Sequence, residues 1–140
     1  MQGETGRSRD WVLTTLAALM GLLALSNFWK PVAQHLDPAA AVGFVFFGTR
    51  LQGVANAVMG PLFGVLLAAY AYGVWTLRRW VVPIAYAYAA YVIINMVLFR
   101  LHAPPAEQPP VLGMLAYAAV AIGVSSGGAY YLTRQRDRLR

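Results

Sequence analysis

The chain has 140 residues, of which 59% are hydrophobic and 11% are charged. Ordinary soluble proteins are about 45–50% apolar and about 25% charged, and a small soluble domain must cover much of its surface with polar groups. The composition therefore excludes a water-soluble globular enzyme and, because disorder requires low hydrophobicity, a disordered chain. It indicates a membrane protein.

Stretches without Asp, Glu, Lys or Arg predict the elements that cross the membrane. A helix needs roughly 20 mostly apolar residues to cross the hydrocarbon core. Four stretches are long enough, and they do not alternate between apolar and polar residues as the strands of a membrane barrel would. We expect an all-α membrane protein, a four-transmembrane-helix antiparallel bundle that forms a single integral membrane domain over 1–140, with spans at about 11–28, 51–77, 81–99 and 111–132.

A shorter apolar stretch, residues 38–48, precedes the second span. Asp37 followed by Pro38 is typical of an N-cap with a proline in the first helical turn. We expect a short interfacial helix over 38–48 and a break near 48–53. The alternative is one long, tilted helix over 38–77, kinked at Pro61, which would measure roughly 60 Å, about twice the hydrocarbon thickness.

The basic residues are distributed unevenly between the two predicted sides of the membrane. Lys30, Arg50 and Arg100 fall on one side. The other side has the remaining eight, which are Arg7, Arg9, Arg78, Arg79, Arg134, Arg136, Arg138 and Arg140. The positive-inside rule therefore predicts cytoplasmic termini and, for a bacterial source, the inner membrane. Because this bias accounts for the net charge of +6, we expect the lipid bilayer and no nucleic acid as a partner.

Small residues recur at intervals of four in the second and fourth predicted spans. This spacing places residues on one helix face and lets two helix backbones approach closely. The pattern predicts a helix-packing interface, either within the four-helix bundle or with a second copy or a larger membrane complex. Its residues are Gly60, Gly64, Ala119, Gly123 and Gly127.

Polar side chains inside or beside the predicted spans form a candidate ligand-binding site. Polar groups in hydrocarbon are costly, so their positions carry information. One interpretation is a pocket that opens outward, in which Arg50 holds an anionic or carbonyl group and the others donate hydrogen bonds. The other is that the asparagines bond across helices while Arg50 reaches the interface. The candidate residues are Arg50, Gln52, Asn56, Tyr91 and Asn95.

The sequence carries no recognisable catalytic or cofactor-binding pattern. No Asp or Glu falls within a predicted span, which argues against a proton- or cation-coupled transporter. Cysteine is absent, and the two histidines fall in predicted loops. Two histidines without a third ligand are a weak metal signal. We therefore predict no catalytic residue, no metal site and no cofactor.

Three functions from different classes fit this pattern. The first is a non-enzymatic membrane protein that acts through helix–helix association, as an oligomer or an accessory subunit. The second is a small carrier or pore with an outward-facing polar site for a neutral, anionic or lipophilic ligand. The third is a membrane enzyme that acts on a lipophilic substrate.

Overall fold

A computed structural model describes residues 10–40 and 42–140 of the chain. The predicted N-terminal tail with Arg7 and Arg9 lies outside the described residues. All four long helices are long and apolar enough to cross a membrane, as the charge-free stretches predict. They are α1 (Trp11–Leu36), α2 (Gly53–Trp75), α3 (Val81–His102) and α4 (Val111–Arg134).

The predicted interfacial helix over 38–48 is wrong, because an antiparallel β-hairpin lies in this part of the chain. Strand β1 (Val45–Phe46) pairs with β2 (Thr49–Arg50). Phe47 and Gly48 between them both have positive φ, 45° and 82°, as the two central residues of a type I′ turn require. Helix α2 then begins at Gly53. The break near 48–53 is thus confirmed, and the single helix over 38–77 is also wrong.

Asp37 and Gly43 explain why this segment is not helical. Asp37 ends α1 instead of starting a new helix, and its side chain accepts the N–H of Ala39 at 3.1 Å. A Cβ on Gly43 would lie 2.3 Å from the carbonyl oxygen of Leu51. The chain therefore folds back on itself at a distance that only glycine permits.

Helix α1 continues two turns beyond the predicted end of the first span at 28, through Pro31 to Leu36. A proline within a helix has no N–H for the carbonyl four residues before it, which here belongs to Asn27. Helix α2 covers this carbonyl, since a Cβ on Gly60 would lie 3.1 Å from the Asn27 oxygen. The neighbouring helix therefore encloses the weakened turn.

The two small-residue stripes have different environments. Gly60 and Gly64 pack directly on α1, and a Cβ on Gly64 would lie 3.2 Å from the carbonyl oxygen of Ala24. Ala119, Gly123 and Gly127 are exposed on α4, and a Cβ on Gly123 or Gly127 would meet no heavy atom within 4 Å. The stripe on α2 thus packs within the chain, whereas the stripe on α4 faces outward.

The helices form two antiparallel pairs, α1 with α2 and α3 with α4. The pairs meet at the end of the bundle that carries the α2–α3 turn (76–80), which we call the turn end. Here Tyr70 is fully buried, and its ring contacts that of Tyr88 with centroids 5.9 Å apart. The opposite end carries the hairpin and is called the hairpin end. The buried core includes Leu13, Leu16, Met20, Leu67, Val74, Val81, Ala85 and Leu132.

Charged and backbone groups tie the turn end together. Asp10 caps α1 by accepting the N–H of Leu13 at 3.0 Å. Its other carboxylate oxygen accepts a hydrogen bond from the hydroxyl of Tyr131 and lies 3.8 Å from Arg138.

The segment after α4 also contacts the α2–α3 turn. It includes a 3-10 turn, Arg136–Arg138, and the N–H of Arg140 donates to the carbonyl of Leu77 at 2.6 Å. The first and fourth helices and the turn between α2 and α3 are thus linked.

Candidate functional site

Asn56 anchors the hairpin segment to α2 and α1. Its side chain is fully buried. Its Oδ1 accepts the backbone N–H of Phe44 at 2.9 Å, and its Nδ2 donates to Oε1 of Gln34 at 2.9 Å. Gln34 in turn donates to the carbonyl of Val42 at 3.2 Å and accepts the N–H of Gly53 at 3.1 Å. One amide pair therefore binds both ends of the segment that contains the hairpin.

Tyr91 and Asn95 hold the hairpin from α3. The Tyr91 hydroxyl donates to the carbonyl of Val45 at 2.8 Å, and Oδ1 of Asn95 accepts the N–H of Gly48 at 2.9 Å. Phe47 packs edge-on against the Tyr91 ring, with centroids 5.6 Å apart. Two polar side chains of α3 thus bind backbone groups that the two-residue strands leave unpaired. Buried backbone N–H and C=O groups need such partners.

Arg50 joins the hairpin to the α3–α4 connection. Its Nε lies 3.1 Å from the Glu107 carboxylate in the 3-10 turn Pro105–Glu107. Its guanidinium also lies over the Phe99 ring, 5.8 Å from the centroid. The Arg50 side chain is 21% exposed, so this ion pair is partly screened from water. It connects residues from both halves of the chain.

A cavity of about 500 Å³ lies below the hairpin, between the two helix pairs. This volume is within the range of small-molecule sites, roughly 300–1,000 Å³. Arg50, Tyr91 and Asn95 line it. Asn56 is buried but is not among the lining residues, and Gln52 is exposed at a separate depression that His35 also lines. The structure therefore places three of the five predicted site residues at one cavity. Apolar and aromatic side chains from all four helices form most of its wall, among them Leu23, Phe63, Leu67, Tyr88, Met96 and Tyr117.

The charged groups of the cavity all lie at its hairpin end. Lys30 is near the end of α1, Arg50 in β2, Arg100 in the last turn of α3 and Glu107 in the 3-10 turn. Glu107 is the single carboxylate among the described residues of the lining, and it pairs with Arg50. The hairpin end of the cavity therefore carries a net positive charge, and the deeper part is apolar.

Lys30 also lines this cavity, although its position in the sequence predicts only a role in membrane topology. Its Nζ donates to Oδ1 of Asn27 at 2.9 Å and lies over the Phe44 ring, 5.6 Å from the centroid. Asn27 is buried and donates to the carbonyl of Leu23 at 2.9 Å. The spacing of three between Asn27 and Lys30 could have identified this pair, because it places both residues on one helix face when the helix extends through Lys30.

The polar and apolar groups of the cavity lining are suited to binding. Among the described residues, the lining contains no histidine, serine or threonine that could act as a base or nucleophile. Tyr91 and Asn95 bind hairpin backbone, and the rings of Tyr88 and Tyr91 pack against other aromatic rings. The cavity can hold an apolar group among its aromatic rings and a polar group beside the cationic side chains of Lys30 and Arg50.

Comparisons with protein-family models, with curated proteins and with solved structures find no match to this chain.

Proposed function

We propose that the protein is an integral membrane protein that binds one amphiphilic molecule in the cavity between its helix pairs. The apolar part of the ligand lies among the aromatic side chains, and its polar head lies at the hairpin end. This corresponds to the carrier function among the three expected from the sequence. The bilayer supplies such ligands directly, because amphiphiles concentrate there with their tails in the hydrocarbon core.

The separation of polar and apolar groups along the cavity carries this proposal. All four charged side chains of the lining lie at the hairpin end, and the deeper wall, which includes Phe63, Leu67 and Tyr88, is largely apolar. With α1–α4 crossing the bilayer, this order matches the order of a lipid from head group to tail. Small-molecule sites are typically apolar clefts with a few polar groups that fix orientation.

Mass spectrometry of the gently purified protein tests the proposal, with two tryptophan substitutions on α3. Val92 lines the cavity, whereas Val97 is exposed and does not. We expect a copurifying amphiphile on the wild-type protein and on Val97→Trp, and its loss from Val92→Trp because the new ring fills the cavity. Equal retention of the amphiphile by both variants would place it on the outer surface of the bundle and contradict the proposal.

We further propose that the hairpin end faces outward and that both termini are cytoplasmic. The uneven distribution of Lys and Arg supports this orientation. The absence of cysteine allows single reporters at Ala106, beside the hairpin end, and at Gln135, at the turn end. A membrane-impermeant maleimide added to intact cells should label Ala106→Cys, and should label Gln135→Cys only after permeabilisation. The reverse pattern would invert the orientation.

Self-association through α4 is a second candidate, and the exposed small residues on this helix favour it. A side chain added at Gly123 enters open space, whereas one added at Gly60 meets α1. Gly123→Leu should therefore lower the mass of a detergent-solubilised oligomer to that of the monomer while the fold is kept. Gly60→Leu should instead destabilise the monomer. A monomeric wild-type protein, in detergent and in lipid, would exclude this candidate.

A further inference from the structure

Building on the proposed binding function, we infer that the ligand is a single-chain amphiphile with an anionic head group, which Lys30 receives. Arg50 forms the second side of this head-group site. The charge and the partners of the groups at the hairpin end of the cavity support this class of ligand, and Lys30 determines the specificity for its head group.

Lys30 is a half-buried ammonium group whose partners in the described chain are all neutral. It donates to the Asn27 amide and lies over the Phe44 ring. No Asp or Glu within residues 10–40 and 42–140 lies within ion-pair distance of it. A charge taken out of water is costly unless an opposite charge pairs with it. Lys30 therefore presents an unneutralised positive charge at the cavity.

The one carboxylate of the lining is already bound elsewhere. Glu107 lies 3.1 Å from Nε of Arg50, so its charge is largely used in that pair. Arg100 is exposed and donates to Oε1 of Gln108, a neutral group. Lys30, Arg50 and Arg100 against Glu107 leave two positive charges at this end of the cavity. An anion at Lys30 would neutralise one of them, and Arg50 and Arg100 would add attraction from nearby. A neutral head group would gain hydrogen bonds but no charge pairing, and a cationic head group would be repelled by the net positive charge.

The size and walls of the cavity limit the rest of the ligand. A volume of about 500 Å³ lies within the range of small-molecule sites, which favours a ligand with one apolar chain over a phospholipid with two. The walls below Lys30 consist mostly of apolar and aromatic side chains, which favour an apolar tail. The class that fits is a long-chain carboxylate or a similar single-chain anion.

The test compares three amphiphiles with the same saturated tail. Their head groups are a carboxylate, an alcohol and a trimethylammonium. Equilibrium binding is measured to the full chain in nanodiscs of a zwitterionic lipid. Because charge-assisted hydrogen bonds contribute about 1.5–3 kcal/mol, the carboxylate should bind at least about tenfold more tightly than the alcohol. The ammonium should bind most weakly.

Three variants assign the preference to Lys30. Lys30→Met should remove most of the carboxylate preference, leaving only what Arg50 and Arg100 contribute, and should change alcohol affinity much less, whereas Lys30→Arg should keep the preference. Arg134→Met is the control, because Arg134 is an exposed cation at the turn end. An equal loss of carboxylate affinity in Arg134→Met would indicate general surface attraction and overturn the assignment.

The outcomes separate this inference from the function on which it rests. If carboxylate and alcohol bind wild-type protein equally, the anionic head group is wrong and the binding function stands. If none of the three amphiphiles binds, the binding function fails. If phosphatidylglycerol added to the nanodiscs displaces the carboxylate from wild-type protein, the occupant is a two-chain lipid and the single-chain class is wrong. The wild-type comparison needs no variant, so it holds even if Lys30→Met fails to fold.

Discussion

Oδ1 of Asn95 accepts the backbone N–H of Gly48 at 2.9 Å, across 47 positions of sequence. The tip of the hairpin is therefore bound to α3 by one side chain. In apolar surroundings, non-helical backbone persists only where protein or water satisfies its polar groups. This hydrogen bond, together with those of Tyr91 and Asn56, explains how a hairpin can lie between apolar helices.

Replacing Asn95 should loosen the hairpin. Asn95→Leu keeps the approximate volume but leaves the buried N–H of Gly48 without its acceptor, which typically costs about 1–3 kcal/mol. Asn56→Leu should cost more, because Asn56 makes two such bonds and is fully buried. Unfolding in mixed micelles with increasing dodecyl sulfate measures both. Wild-type stability of Asn95→Leu would show that the bond contributes nothing to the fold.

A methyl group on Gly48 should displace the hairpin from α3. Gly48 has φ of 82°, and a Cβ there would lie 2.4 Å from the carbonyl carbon of Leu98. Gly53 is a matched control, since its φ is also positive, at 55°, but a Cβ on it meets nothing within 4 Å. Gly53→Ala should therefore cost only the backbone strain, about 1–2 kcal/mol, and Gly48→Ala clearly more in the same unfolding assay. Equal losses would mean that contact with Leu98 is unimportant.

Removing the hydroxyl of Tyr70 and removing that of Tyr91 should have different effects on the stability of the fold. The Tyr70 hydroxyl is buried and has no hydrogen-bond partner among the described residues, so Tyr70→Phe should leave stability unchanged or raise it by up to about 1–3 kcal/mol. Tyr91→Phe should lower stability by about 1 kcal/mol, because the carbonyl of Val45 loses its donor. Thermal unfolding followed by circular dichroism compares them. A destabilised Tyr70→Phe would reveal a partner for that hydroxyl.

Stability should fall with acidification through Asp10. Burial alone would raise the pKa of Asp10, but the Tyr131 hydroxyl, the Leu13 N–H and Arg138 together hold it below its ordinary value of 3.8. A carboxyl with a lowered folded-state pKa stabilises the fold above its unfolded-state pKa, and the gain is lost as pH falls through the folded-state value.

Asp10→Asn isolates this charge, because asparagine also caps helices well. The variant should be less stable than wild type at about pH 7, and the difference should shrink below the ordinary pKa of 3.8 as the carboxyl becomes protonated. Thermal midpoints measured between about pH 7 and pH 3 test this. A difference that does not depend on pH would assign the effect to hydrogen bonding instead of charge.

The helices could be predicted from sequence and the hairpin could not. A charge-free run of about 20 residues identifies a span without knowledge of its neighbours. The hairpin depends on Tyr91 and Asn95, which are 46 and 47 positions from the residues they bind. Its turn also lacks the Asn-Gly or Asp-Gly pair typical of a type I′ turn, having Phe47 and Gly48 instead.

The candidate site was predicted in part, for a related reason. Arg50, Tyr91 and Asn95 were identified because polar side chains are costly in apolar surroundings, and all three line the cavity. Lys30 was missed because the first span was expected to end at 28, before Pro31. The roles of the asparagines depend on a hairpin that sequence periodicity does not show.

The anchoring of the hairpin from both halves of the chain also sets an order of assembly. Ribosomal synthesis delivers α1, the hairpin and α2 before α3, so Gln34 and Asn56 are available early and Tyr91 and Asn95 are not. Until α3 inserts, the carbonyl of Val45 and the N–H of Gly48 lack their partners. The hairpin is therefore held over the cavity only when α3 and α4 pack against α1 and α2. A nascent chain with only the first two helices has no enclosed cavity for a ligand.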